Sequence, residues 1–178
     1  MSDKDTLKFL EACCFGNLDA LASMKGGPHA TSSLVSNIPN SKILYGAKLA
    51  GRRNHWNVVR FLLLSPSVTS YTSIKNRVNA FFILCCQEGD FDIVCSLFSN
   101  HETREHVDIQ AKNSQAFTKA CRNGHLNIVL HLLPFLEQSA VEIYTTLSLG
   151  LAEAAKQGHR EISDVLLKAY EKALRIER

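Results

Sequence analysis

The sequence has few features of an enzyme or a membrane protein. It has no uninterrupted apolar run of about 18 residues, so we expect no membrane span. Its first 14 residues have neither a basic leader nor an apolar segment, which argues against a secretory signal peptide. The motifs GxSxG and GxxxxGK[ST] and repeated carboxylate pairs are absent. We therefore expect a non-enzymatic protein that needs no cofactor.

Cysteine is present, but not in a pattern that binds metal. None of the six cysteines forms a CxxC pair, so the sequence predicts no zinc site. Cysteine can also act as a compact apolar residue, and four of the six stand where small residues recur. Those four are Cys13, Cys85, Cys86 and Cys121. Reduced cysteines and a cytosolic location follow as expectations.

One histidine pair resembles a zinc-binding helix only superficially. His101 and His106 are five residues apart in the segment HETREH. That spacing is about 500° around a helix, so the two side chains do not share a face as an i,i+4 pair does. We interpret this part of Ser99–Asn113 as a solvated loop.

The sequence does contain one segment that recurs five times. Aligned on a turn residue, the copies lie 38, 35, 35 and 34 residues apart. The turn residues are Gly16, Asn54, Gly89, Gly124 and Gly158. Glycine and asparagine are the residues that most readily take the left-handed conformation that ends a helix. A fixed period of this length indicates a stack of similar supersecondary units.

Positions on either side of each turn residue indicate two helices per unit. Every residue four or three positions before the turn is small, as expected where helices approach closely. Apolar residues recur four, five and eight positions after the turn, which is one face of an α-helix. Each unit is therefore predicted to be a helix, a tight turn and a second helix.

The repeated pattern resembles the ankyrin repeat, AAxxGHxxVVxxLL, over nearly the whole chain. GHLNIVLHLL at Gly124–Leu133 and GDFDIV at Gly89–Val94 are specific matches, although no repeat has the TPLH opening of the family. We expect an all-α, ankyrin-type solenoid of about five repeats, curved and right-handed, in a single domain over residues 1–178. Approximate repeat boundaries are 2–40, 41–73, 74–112, 113–138 and 139–178.

Local signals refine this expectation. Capping-box spacings at Ser2–Asp5 and Ser139–Glu142 predict helix starts. Residues Gly26–Asn40 are interpreted as either a hairpin or a loop. All four prolines are placed between helix pairs, and Arg160 and Ser163 mark a polar C-terminal cap. Trp56 is interpreted as a core residue or an exposed anchor, and Phe82 is aligned with Phe9 and Phe117 as core.

In the ankyrin family, the two residues before the Gly-His turn face the concave side and vary with the ligand. Carried over by position, the resemblance implies a protein-binding surface. Its residues here are Phe15, Arg52, Arg53, Gln87, Glu88, Arg122, Asn123, Lys156 and Gln157. Arginine and aromatic residues often dominate binding energy, so we hypothesise an acidic partner with an apolar anchor near Phe15. The histidines of the turns, His55, His125 and His159, are predicted to make structural hydrogen bonds.

Several alternatives remain open from the sequence. The surface before the turns could be merely solvated, the stack could associate with itself, or a catalytic site could lie on its loops. A nucleic-acid-binding stripe of Arg52, Arg53, Arg122 and Lys156 is disfavoured, because Glu88 intervenes and aromatic residues do not alternate with the basic side chains. We expect a monomer without membrane or nucleic-acid partners. The degenerate repeats also resemble those of proteins that intracellular bacteria deliver into the host cytosol.

Overall fold

Helices make up the secondary structure of the chain. The computed structural model describes residues 3–24, 38–64, 71–136 and 143–176, and no strand occurs within these ranges. The predicted all-α class is therefore confirmed. The capping box at Ser139–Glu142 and most of the segment Gly26–Asn40 lie outside the described residues.

Five helix pairs flank the five turn residues, one pair at each turn. The pairs are α1 (Asp3–Cys14) with α2 (Leu18–Ser23), α3 (Asn40–Arg52) with α4 (Trp56–Leu64), α5 (Tyr71–Glu88) with α6 (Phe91–Ser99), α8 (Ala111–Arg122) with α9 (Leu126–Leu136), and α10 (Ile143–Gln157) with α11 (Arg160–Ile176). A short helix, α7 (His101–Arg104), stands between the third and fourth pairs. The last helix has 17 residues and ends where the sequence predicted.

Each pair turns at a residue with left-handed backbone geometry. All five turn residues have positive φ, from 63° at Asn54 to 79° at Gly158. The residue after each turn donates its backbone N–H to the carbonyl five positions earlier; for example, His125 donates to Ala120 at 3.0 Å and His159 to Ala154 at 2.9 Å. These bonds satisfy carbonyls at the end of the first helix that no helical N–H reaches. The predicted turn positions are thus confirmed.

Most of the residues three and four positions before the turns are buried. At four positions before the turn, the residues of all five repeats are buried: Ala12, Ala50, Cys85, Ala120 and Ala154. At three positions before, three cysteines are fully buried, whereas Gly51 is partly exposed and Ala155 is exposed. Phe9, Phe82 and Phe117 are 1% exposed or less, which confirms their predicted core position.

The chain divides into two compact units. Unit 1 comprises Met1–Phe81 with Ser96–Val107, and unit 2 comprises Phe82–Cys95 with Asp108–Arg178. Within unit 1, α1 packs against α2 and α3, and α3 packs against α4. Within unit 2, α8 packs against α9 and α10, and α11 packs against α10 and α9. Burial of apolar side chains between these helices, at about 1.5–3 kcal/mol for each large residue, is the main source of stability.

The segment after α6 is not the solvated loop that the sequence suggested. Thr103 is 1% exposed, and its hydroxyl donates to the carbonyls of Leu97 at 3.0 Å and Asn100 at 3.2 Å. His106 is 6% exposed, and its carbonyl accepts a 3.1 Å hydrogen bond from the Asn79 side chain. These bonds link α7 to α6 and the residues after α7 to α5. The local sequence cannot reveal the partner of Asn79, which is 27 positions away.

Two further expectations were wrong or incomplete. Pro134 lies inside α9, two residues before its end, and not between helix pairs. A proline near the C-terminal end removes only one helical hydrogen bond, so the last turn persists. Trp56 is partly buried, as are Leu18, Phe91 and Leu126 at the same repeat position. That position lies at the edge of the core.

Candidate functional site

The nine predicted binding residues lie at the C-terminal ends of the first helices of the repeats. We call them the pre-turn residues. Eight of the nine are exposed, and only Gln87 is partly buried. Each pair precedes a residue of positive φ, so the tight turn fixes where the pair points without using its side chains. Most of these side chains therefore lie at the surface and not in the core.

In unit 1, Arg53 of the second repeat lies next to Cys14, which precedes Phe15 in the first repeat. The Arg53 guanidinium donates a hydrogen bond to the Cys14 sulfur at 3.3 Å. Arg52 and Arg53 are both exposed. Phe15 is 78% exposed, the most of any large apolar residue in the described chain. An exposed aromatic and two arginines thus occur together, and this combination is typical of residues that dominate binding energy.

A groove of about 330 Å³ lies beside Phe15. It is lined by Lys8, Glu11, Ala12, Phe15, Asn17, Ala20 and Met24. Most of this lining is apolar, with one basic and one acidic side chain among it. A cavity of this volume is at the small end of ligand-pocket sizes, and it is large enough for one or two apolar side chains.

Apolar residues two helical turns earlier extend this surface, and they were not identified from the sequence. Leu7 and Tyr45, both nine residues before their turn, are 59% and 46% exposed. The Lys48 ammonium lies 5.1 Å from the centre of the Tyr45 ring, in cation–π geometry. A count of seven or eight residues back along the helix from each pre-turn residue would have found them.

In unit 2, the pre-turn residues are tied to neighbouring repeats by hydrogen bonds. The Gln87 carbonyl accepts from the Asn123 side chain at 2.6 Å and from His125 Nε2 at 3.0 Å. The Lys119 ammonium donates to the Gln87 side-chain oxygen at 2.5 Å. Gln87 and Asn123 therefore contribute to the contact between repeats as well as to the surface.

Arg122 is held by a carboxylate of the next repeat. Its Nε donates to Glu153 at 2.6 Å. The hydrogen bond and the charge of Glu153 raise the pKa of Arg122, and the hydrogen bond from Arg122 is the main cause of the lowered pKa of Glu153. Because Arg122 is exposed and Glu153 is partly exposed, the contribution of the pair to stability is small. The charge that Arg122 presents to a partner is nevertheless partly compensated.

Two of the three turn histidines, His125 and His159, make the predicted structural hydrogen bonds between neighbouring repeats. His159 Nε2 donates to the Arg122 carbonyl at 2.9 Å, in the same way that His125 bonds to Gln87. Each histidine ring also covers the turn glycine of the preceding repeat. A Cβ on Gly124 would lie 2.7 Å from the His159 ring, and one on Gly16 would lie 2.6 Å from the His55 ring. Glycine is thus required at these turns for space as well as for φ.

The described residues contain no group of three or more His, Cys, Asp or Glu side chains arranged to hold a metal ion. Burial raises the pKa of the Cys13 and Cys121 thiols to about 12, and a smaller contribution to the Cys13 shift comes from the charge of Cys14. Such thiols stay protonated at neutral pH and are poor nucleophiles. None of the helices in the described ranges is long and apolar enough to span a membrane.

Comparison with known proteins supplies the family. A family model described as "Ankyrin repeats (3 copies)" matches residues 81–176, which is more than half of the 178-residue chain. No curated protein and no solved structure matches the chain.

Proposed function

Because the chain belongs to the ankyrin-repeat family, we propose that it is a non-enzymatic module that binds a partner protein through its pre-turn residues. Ankyrin repeats are in general protein–protein interaction modules. The observation that carries the proposal is the exposure of eight of these nine residues beside turns whose backbone geometry is set by the glycine or asparagine that follows them.

The surface of unit 1 favours a partner segment with acidic and apolar side chains. Arg52 and Arg53 supply two exposed positive charges, and arginine binds carboxylates in a bidentate manner. Phe15, with the groove beside it, supplies an apolar site for an anchor residue. An extended or helical segment that carries Asp or Glu near one large apolar residue fits both features.

Unit 2 offers a different set of contacts. Arg122 is paired with Glu153, and Lys119 with Gln87, so a ligand would compete with these existing bonds. Lys156 and Gln157 are exposed on the last repeat. We therefore expect unit 2 to add hydrogen bonds and selectivity to the binding.

A peptide-display selection followed by charge reversal tests this proposal. The immobilised protein should select peptides that combine Asp or Glu with a large apolar residue. The double variant Arg52→Glu, Arg53→Glu should bind a selected peptide at least tenfold more weakly, which corresponds to about 1.4 kcal/mol. Its thermal stability should stay near that of the wild type, because both side chains are exposed.

The matched control carries the same change of net charge elsewhere. Arg160→Glu with Lys168→Glu reverses two exposed charges on α11. If both double variants lose affinity equally, the attraction is non-specific and the pre-turn assignment fails. If the selected peptides have no excess of acidic residues, the partner chemistry proposed here is wrong.

We also propose a cytosolic location for the protein. The support is chemical: the described structure has all six cysteines as free thiols, and four of them are buried. Free thiols of this kind persist in a reducing compartment. Fractionation of cells that express the tagged chain would test it, and recovery in an oxidising compartment would contradict the proposal.

A further inference from the structure

The groove beside Phe15 has the same lining positions that receive a neighbouring helix pair elsewhere in the chain. Counted from the turn residue, these positions are eight and four before it, and one, four and eight after it. In the last repeat they are occupied by Gly150, Ala154, His159, Ile162 and Leu166, of which four are buried and His159 is partly buried. In the first repeat they are Lys8, Ala12, Asn17, Ala20 and Met24, all of which line the groove. The groove is therefore a stacking site that no described residue fills.

The last repeat presents the opposite face of the same contact. Ala155 and Gly158 are exposed, and Leu151 is partly exposed. In the part of the chain that the structure describes, no atom lies within 4 Å of a Cβ built on Gly158. Equivalent residues of earlier repeats, such as Cys121 and Gly124, are covered by the repeat that follows them.

The two uncovered faces carry the types of residue that make the polar contact between neighbouring repeats. Within each unit, the residue ten positions before one turn bonds to the residue twelve positions before the next turn. These contacts are Lys42 Nζ to the Thr6 hydroxyl at 2.9 Å and Ser114 to Thr146 at 2.8 Å. The residues left over at these positions are Ser148 in the last repeat and Lys4 in the first, and both are exposed. A lysine and a hydroxyl are the same two groups that meet between Lys42 and Thr6.

The faces also match at the turn. The ring one position after a turn covers the preceding turn glycine, and His159 Nε2 donates to the carbonyl of Arg122. The uncovered glycine is Gly158, and the first repeat has Asn17 at the covering position. The Asn17 side-chain oxygen accepts from the Ala20 N–H at 2.9 Å, which leaves its NH₂ to donate. In an equivalent contact, its acceptor would be the Lys156 carbonyl, which is at the position of the Arg122 carbonyl.

Side-chain sizes at the centre of the contact are complementary. In the existing contacts, a glycine meets an aromatic ring and a thiol: a Cβ on Gly46 would lie 2.9 Å from both Phe9 and Cys13. At the uncovered faces, the first repeat has Lys8 at the position of the glycine, and the last repeat has Leu151 and Ala155 at the positions of the ring and the thiol. The aliphatic stem of a lysine can lie across small apolar residues while its ammonium stays in water.

We infer that the last repeat of one molecule stacks in the groove of the first repeat of a second molecule, so that the occupant of the groove is another copy of this chain. Such a head-to-tail contact is heterologous and leaves one free face at each end, so it can continue into open chains. It departs from the monomer expected from the sequence. The contact uses the groove that the proposed function assigns to the apolar anchor of the partner, so a second copy and a partner would compete for it. It does not use Arg52 or Arg53, so light scattering and the charge-reversal assay test the two proposals separately.

Two single substitutions, each blocking one face, provide the test. Ala20→Arg fills the groove, and Ala155→Arg places a bulky cation on the opposite face. Light scattering after size exclusion, at about 10 µM to 1 mM protein, is suited to a contact of modest size. The wild type should at least double its average mass across this range, whereas each variant alone should stay at the mass of one chain. An equimolar mixture of the two variants should form dimers, because each retains the face that the other has lost.

The matched control is Leu130→Arg, which places the same charge at an exposed leucine of the fourth repeat and should associate like the wild type. Circular dichroism and thermal melting confirm that each variant is folded. A wild type that stays at the mass of one chain at all concentrations would overturn the inference. So would association that either single variant retains, or a mixture that does not dimerise.

Discussion

The contact between turn glycines and histidines allows one side-chain contribution to stability to be separated from the backbone contribution. Gly124 and Gly158 have nearly the same φ, 78° and 79°. A Cβ on Gly124 would lie 2.7 Å from the His159 ring, whereas a Cβ on Gly158 would meet nothing within 4 Å among the described residues. Alanine at either position therefore costs the same backbone strain, and only one of the two displaces a ring.

The expected magnitudes follow from these two terms. A left-handed conformation costs an alanine about 1–2 kcal/mol, so Gly158→Ala should lower the free energy of unfolding by that amount. Gly124→Ala should lose a further 1–2 kcal/mol or so, because the His159 ring must move and its 2.9 Å bond to the Arg122 carbonyl is weakened. The total for Gly124→Ala is then about 2–4 kcal/mol.

Urea unfolding monitored by circular dichroism, in dilute protein, measures both losses. Both glycines lie in unit 2, so the same transition reports them. A double-mutant cycle with His159→Ala completes the test, since removal of the ring should make Gly124→Ala cost no more than Gly158→Ala. Equal losses for the two single alanine variants, with His159 present, would refute the role assigned to the ring.

Two further predictions concern the core and its thiols. Leu132→Ala should lower the free energy of unfolding by about 2–4 kcal/mol, because the fully buried side chain leaves a cavity. Ser163→Ala at the partly exposed cap should change it by no more than about 0.5 kcal/mol. Equal losses for the two variants in urea unfolding would contradict the repeat register. The pKa of Cys121 is raised from 9.0 to about 12 by burial, so the unfolded chain releases this proton first and stability is lost as pH rises above about 9. When the pH is raised from about 8 to about 10, the free energy of unfolding of Cys121→Ala should fall by about 1.4 kcal/mol less than that of the wild type. Identical losses in urea unfolding at the two pH values would show that the Cys121 thiol does not contribute to the pH dependence.

The sequence predicted which residues belong to the candidate site but not the contacts that they make. The pre-turn residues were found because they stand next to glycines with a fixed backbone role. Their partners were not found, because the Arg122–Glu153 and Lys119–Gln87 contacts join residues about 30 positions apart. The groove beside Phe15 was also missed, since it is formed by two helices and the turn between them.

The sequence by itself determined the turns, the helix pairs and most of the buried positions. Positive φ depends on the residue that adopts it, and helical periodicity depends on neighbours a few positions away. Both can therefore be inferred from the local sequence. Only the tertiary structure decided the burial of Thr103 and His106, the partial exposure of Trp56 and the continuation of α9 through Pro134. These features depend on which surfaces meet in space, and a side chain is buried or exposed according to neighbours that the local pattern does not specify.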